Sequence, residues 1–144
     1  MPKNLSQHGE LVDLHTHLGA SSPPDLLWRF AHMQGIRLPK KDYWEFMDEL
    51  TVEGDDPNAY DKYHDLYNLT QKVQSSPYAV EHAVYEALSL SYRKSGITLQ
   101  EIRVNPMKRN NEGFYDLDRI IFHALTGAKR AMMEYPIVAG VILE

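Results

Sequence analysis

A chain of 144 residues that is 43% hydrophobic and 24% charged has the composition of one globular domain able to bury a sizeable core. Fifteen Lys and Arg against 20 Asp and Glu give a net charge of −5, with the acids scattered. That excludes nucleic acid as the expected partner, and the short basic pairs Lys40-Lys41 and Lys108-Arg109 read as solvated surface. The chain has no cysteine, so disulfides and thiolate metal sites are excluded, and any metal falls to histidine, carboxylate or water. No apolar run approaches the ~20 residues needed to span a bilayer, and residues 1–8 lack the apolar centre of a secretory leader. The expectation is a cytoplasmic protein without membrane contact.

Glu10 to His17 alternates, which predicts a strand with Leu11, Asp13, His15 and His17 on one face and Val12, Leu14 and Thr16 on the other. A loop of small residues, Gly19-Ala20-Ser21-Ser22, follows. Asp25 to Gln34 carries Leu26, Leu27, Phe30 and Met33 at helical spacing and stops at Gly35. A second helix is expected over Lys40 to Leu50, then a turn-rich break over Gly54 to Asn58, then a third helix over Tyr60 to Val73. Ser76-Pro77 is a helix start, because serine caps the free amides and proline at the first position loses no hydrogen bond. That helix runs over Tyr78 to Lys94 and ends at Gly96. Ile97 to Asn105 reads as a strand with Leu99, Glu101, Arg103 and Asn105 on one face and Ile102 and Val104 on the other. Pro106 closes it, Lys108 to Tyr115 is a polar loop, Asp116 to Glu134 a helix, and Ile137 to Leu143 a third strand.

Strands separated by helices indicate an α/β fold of parallel strands with helical crossovers. Two of the strands carry ionisable residues on one face, which suits the interior of a barrel better than an open sheet covered on both sides. Glu101 and Arg103 are expected to pair with Asp13 there. A full (β/α)8 TIM barrel needs ~250 residues and eight strands. The expectation is therefore the first three strands and associated helices of such a barrel, apparently truncated, with residues 1–144 forming the N-terminal portion of a single domain. A small three-stranded unit that completes its sheet by oligomerising is the alternative.

In Asp13-Leu14-His15-Thr16-His17 the two histidines leave the same strand face about 7 Å apart at the backbone. Two neutral imidazoles so placed can converge on one metal, with zinc well suited to nitrogen donors. The same spacing is met by two partly buried, hydrogen-bonded histidines with no metal. Position favours the metal: the pair sits at the carboxyl end of the first strand and runs into small residues that let a ligand approach.

The segment Leu11 to Asp25, with Trp28 to Leu38 and with Glu101-Ile102-Arg103-Val104-Asn105-Pro106, resembles the opening of the adenosine deaminase family of the amidohydrolase superfamily. Pro39 to Pro77 is similar to that family's helical insertion between strands one and two, here spanning about residues 25–75. The resemblance implies a hydrolase of purine metabolism. It would use one zinc ion, or another divalent metal, to deaminate adenosine or a related aminopurine nucleoside or nucleotide with release of ammonia. The cation's role would be to lower the pKa of water toward neutrality. His15 and His17 match the family's first two metal ligands. The remaining ligands and the general acid are expected beyond Glu144, so no catalytic residue is assigned within this chain. Family members that bind adenosine commonly carry aspartate two residues after the second histidine; Gly19 stands there, which widens the substrate to other aminopurines. Gly19, Tyr63 and Tyr67 are the candidate substrate-binding residues, the tyrosines where the family places a lid with Leu66 and Leu69.

His8, His32, His64, His82 and His123 lack partners at ligand spacing and read as surface or packing residues. Two other functions remain open on sequence. A metal-dependent phosphoesterase of the polymerase-and-histidinol-phosphatase type opens with the same Asp-x-His-x-His, although no carboxylate follows here until Asp25. A non-catalytic binding or assembly fragment is the third reading, with the missing part of a barrel or a second copy of the chain as its partner.

Overall fold

Three parallel strands and a layer of helices are built from the predicted segments in their predicted order, in a computed structural model that describes residues 10–51, 59–111 and 113–144. His8 and the turn-rich break over Gly54 to Asn58 lie outside the described residues. The elements are β1 (Leu11–His17), α1 (Leu18–Ser21), α2 (Pro24–Met33), α3 (Tyr43–Glu49), α4 (Ala59–Val73), α5 (Pro77–Leu90), β2 (Ile97–Val104), α6 (Leu117–Glu134) and β3 (Val138–Leu143). The sheet order is β1-β2-β3, parallel at both junctions. Among the described residues no helix is long and apolar enough to cross a membrane.

Local chemistry sets most boundaries. Ser76 accepts a hydrogen bond from the Ala79 amide and Pro77 opens α5, as the sequence requires. α3 starts later than expected because Asp42 caps it, accepting from the Trp44 and Glu45 amides. α5 also stops short: Ser91–Ser95 widens into a π-helical turn before Gly96, at φ +69°, reverses the chain in the left-handed region. The small residues after His17 form the short helix α1 instead of a loop, and Met107–Arg109 is a 3-10 turn inside the expected polar loop.

The two faces of β2 differ sharply. Gln100, Ile102 and Val104 are buried, and the two aliphatics belong to one core with Val80, Ala83 and Val84 of α5 and Ile120, Ala124 and Ala128 of α6. Small residues let α5 and α6 come together: a Cβ on Gly127 would lie 2.2 Å from the Glu81 backbone oxygen. Across the same junction Glu81 accepts from Arg130 at 2.9 Å and pairs with His123 at 2.8 Å. His123 is thus half-buried and packs against α5 through Glu81, in line with the packing reading. On the opposite face Leu99 is 37% exposed, as are Val12 and Leu14 of β1 at 52% and 54%.

One expectation about β1 fails. Asp13 pairs with Gln100 in the ladder, but Thr16 pairs with Ile102 and His17 with Arg103, so three steps on β1 match two on β2. This bulge breaks the alternation and turns Asp13 to the side of Gln100 and Thr16, away from the histidines. Its carboxylate accepts from Gln100 Nε2 at 3.2 Å, from the His15 amide at 2.9 Å and from the Thr16 hydroxyl. Arg103 instead donates to the Leu14 carbonyl oxygen at 2.8 Å, and the expected cluster of Asp13, Glu101 and Arg103 does not form. Burial alone would raise the Asp13 carboxyl, but the hydrogen bonds from Thr16, His15 and Gln100 outweigh it and hold the group below the usual carboxylate range.

Candidate active site at the carboxyl end of the sheet

His15 and His17 end β1 with ring centroids 5.2 Å apart and planes inclined at 56°. His15 lies within the bulge and His17 just past it, and the close rings put both at the same corner of the sheet. Glu144, which follows β3, lies with one carboxylate oxygen 3.0 Å from His17 Nδ1. An ionised carboxylate only accepts, so Nδ1 is the donor and Nε2 is the nitrogen left to face a metal. That is the second-sphere arrangement that orients a metal-ligating histidine. The donor set fits a zinc-type cation in kind, nitrogen with an oxygen-bearing neighbour, and supplies two of four tetrahedral positions. Among the described residues no group of three or more His, Cys, Asp and Glu is assembled to hold a metal.

Beside His17 opens a cavity of about 400 Å³ whose wall includes Tyr63, His64, Tyr67, Asn105, Lys108 and Glu144. Helix α4 delivers Tyr63 and Tyr67 one turn apart, with stacked rings 6.2 Å between centroids. The Tyr67 hydroxyl stands 3.5 Å from His17 Nδ1, and its ring meets His17 edge-on. His64 is exposed, as expected of a surface residue, and also lines this cavity. Gly19 is buried in α1, and a Cβ there would lie 2.7 Å from Tyr67 Cε2. The tyrosine ring therefore rests on the glycine. Gly19 lines a smaller cavity of about 150 Å³ with Tyr63 and Tyr67, so its place beside the site is as the seat of Tyr67.

Of the basic pair Lys108-Arg109, Lys108 keeps its reading as surface and Arg109 overturns it. Lys108 is exposed but lines the cavity, and Arg109 is 1% exposed, the bulkiest of the fully buried side chains. The turn that carries them is held by the Lys108 amide donating to Asn105 Oδ1 at 3.0 Å. Arg109 Nη2 donates to Gln74 Oε1 at 3.2 Å, while Nε and Nη1 have no partner among the described residues. Burial pushes the guanidinium pKa down, with Tyr67 and Glu144 nearby pulling it back, and the group stays cationic. Gln74 also donates to the Leu18 carbonyl oxygen and to Ser22 Oγ, tying α1 to the end of α4.

Known proteins share this architecture. Residues 11–143 match the adenosine deaminase family. Adenosine deaminase of Vibrio atlanticus is 33% identical over 132 residues, which cover 92% of this chain and 39% of that protein. An amidohydrolase from Burkholderia ambifaria solved with bound Zn superposes with a TM-score of 0.73 at 18% identity, over 93% of this chain and 35% of its own. Arabidopsis ADAL complexed with IMP superposes with a TM-score of 0.66 at 18% identity, over 93% and 40%. The chain thus spans about 39% of the length of its curated relative, and its three parallel strands correspond to the N-terminal part of the family's TIM barrel. Of the two enzyme families that share the Asp-x-His-x-His opening, the match selects one: the chain belongs to the adenosine deaminase family.

Proposed function

We propose that residues 1–144 are the N-terminal portion of a single barrel domain in a zinc-dependent hydrolytic deaminase acting on an aminopurine nucleoside or nucleotide. The observation that carries this reading is the His15-His17 pair, rings 5.2 Å apart, at the rim of an aromatic-walled cavity in a chain of this family. His15 and His17 would hold the cation, which when bound activates water for attack on an aminated carbon. Glu144 would accept a hydrogen bond from His17 Nδ1 and so leave Nε2 to face the metal. Tyr63 and Tyr67 offer flat apolar surface against which a purine packs, and Tyr67 limits the space beside His17. The amidohydrolase neighbour with bound Zn supports the choice of metal.

Two imidazoles leave coordination positions open, and no general acid is assigned within these residues, so the partner required is the rest of the barrel or a second chain. The 144-residue chain alone is expected to bind zinc weakly and to deaminate neither adenosine nor AMP. Zinc titration of the chain beside its His15→Ala and His17→Ala variants is the test. Loss of the bound zinc in both variants supports the site. Zinc retained in both at the original affinity refutes it.

A further inference from the structure

The cavity beside His17 shares Gln71 and Lys108 with a second one of about 460 Å³, whose wall includes Asn68, Lys72, Ser75 and Asn111. Two ammonium groups therefore meet several neutral side chains able to donate hydrogen bonds. Among the described residues no carboxylate lines this second cavity, on a chain whose net charge is −5. Neither lysine is in an ion pair among the described residues; the cations that are so paired, Arg93 and Arg130, lie elsewhere on α6 and after α5.

A third cation is next in the chain, buried near Tyr67 and Glu144 of the cavity beside His17. Arg109 directly follows Lys108, and Gln74, which accepts a hydrogen bond from its side chain, directly precedes Ser75. Two of its nitrogens remain unsatisfied at 1% exposure. A buried cation with unpaired donors is costly, and low-dielectric surroundings carry its field to the adjoining space instead of screening it. Exposed Lys72 and Lys108 then supply the direct contacts, as charge-assisted hydrogen bonds do for phosphate oxygens.

We infer that the second cavity binds a phosphate monoester attached to the ligand whose base occupies the cavity beside His17, so that the substrate is a purine nucleoside monophosphate. The purine half of this inference rests on the deaminase reading; the anion site rests on Lys72 and Lys108, which line the second cavity. Lys72 and Lys108 are exposed, so replacing them leaves the core intact.

Calorimetric titration of the full chain with ribose 5-phosphate, AMP and adenosine, repeated with Lys72→Ala/Lys108→Ala, tests it. AMP is expected to bind at least about tenfold tighter than adenosine at low ionic strength, an advantage set by two charge-assisted contacts. The double variant and about 0.5 M salt should each bring that ratio toward one, and ribose 5-phosphate binding should vanish in the variant. Equal affinity for AMP and adenosine overturns the anion site while leaving the deaminase reading standing. Lysine-dependent binding of ribose 5-phosphate without any added affinity from the purine supports the anion site and counts against the purine reading. No binding of ribose 5-phosphate, or binding indifferent to the two lysines, overturns the anion site.

Discussion

The two sides of the sheet follow different rules. Toward α5 and α6 the contacts are closed: Ile102 and Val104 are fully buried, Gly127 admits a backbone oxygen, and Glu81 accepts from both His123 and Arg130. Toward the other face and the carboxyl end, aliphatics are exposed, two arginine nitrogens are unpaired and aromatic rings line open cavities. The first side holds the fold together. The second withholds its interactions for something else, as expected of the barrel end where ligands bind.

Truncation on the two faces should separate them most clearly. Ile102→Ala removes a fully buried side chain from the shared core and is expected to cost roughly 2–5 kcal/mol, by transfer and cavity together. Leu99→Ala, three residues earlier and 37% exposed, should cost about 1 kcal/mol or less. Urea unfolding of both variants checks the contrast, and equal losses would mean that the exposed face is as much a core as the buried one. Gly127→Ala comes next. Its Cβ would sit 2.2 Å from the Glu81 backbone oxygen, so the helices must separate at about 1–3 kcal/mol. Gly140→Ala, whose Cβ would meet Glu101 Cγ at 3.7 Å, should be close to neutral in the same assay.

The third contrast is in acid. Burial would raise the Glu81 carboxyl, but hydrogen bonds from His123 and Arg130 hold it below its ordinary value. A group depressed in the folded state adds stability above its unfolded pKa of about 4.3 and loses it as the pH falls through the lower folded value. Stability at pH 7 should therefore include this contribution, and the loss should begin near pH 4–5. Glu81→Gln is expected to be less stable at pH 7 by about 1–2 kcal/mol, the scale of a hydrogen bond to a charged group, and to lose less than the parent on acidification. Thermal melts across pH 3–7 measure both, and parallel curves would refute the assignment.

How much of this was legible in the sequence follows the same division. Periodicity gave β2 its two faces, and Ser76-Pro77 placed the start of α5, because both depend on neighbours a few residues apart. The His15-His17 pair was legible as a spacing. Asp13 was misplaced because one inserted residue in β1 reverses a side chain without altering the local pattern. Arg109 read as surface because its burial depends on Gln74, 35 residues earlier, and Lys72 and Lys108 come together only once α4 and the 3-10 turn are packed. Asp42 was a usable signal that went unread, since aspartate is a strong helix cap.

The smallest effect expected is at Gly19, where two opposing terms meet. Alanine in the helical backbone of α1 should gain roughly 0.5–1 kcal/mol over glycine. The same methyl group would lie 2.7 Å from Tyr67 Cε2, so the ring must swing away from its seat and from His17, 3.5 Å from its hydroxyl. The net change in stability for Gly19→Ala should be under about 1 kcal/mol. Tyr67→Ala removes the obstruction, so adding Gly19→Ala on that background should be stabilising, and the two substitutions should be non-additive as expected of residues in contact. Strict additivity in the double-mutant cycle would show that Tyr67 does not rest on Gly19. A coupling would establish the glycine as the residue that admits an aromatic wall to this corner of the sheet.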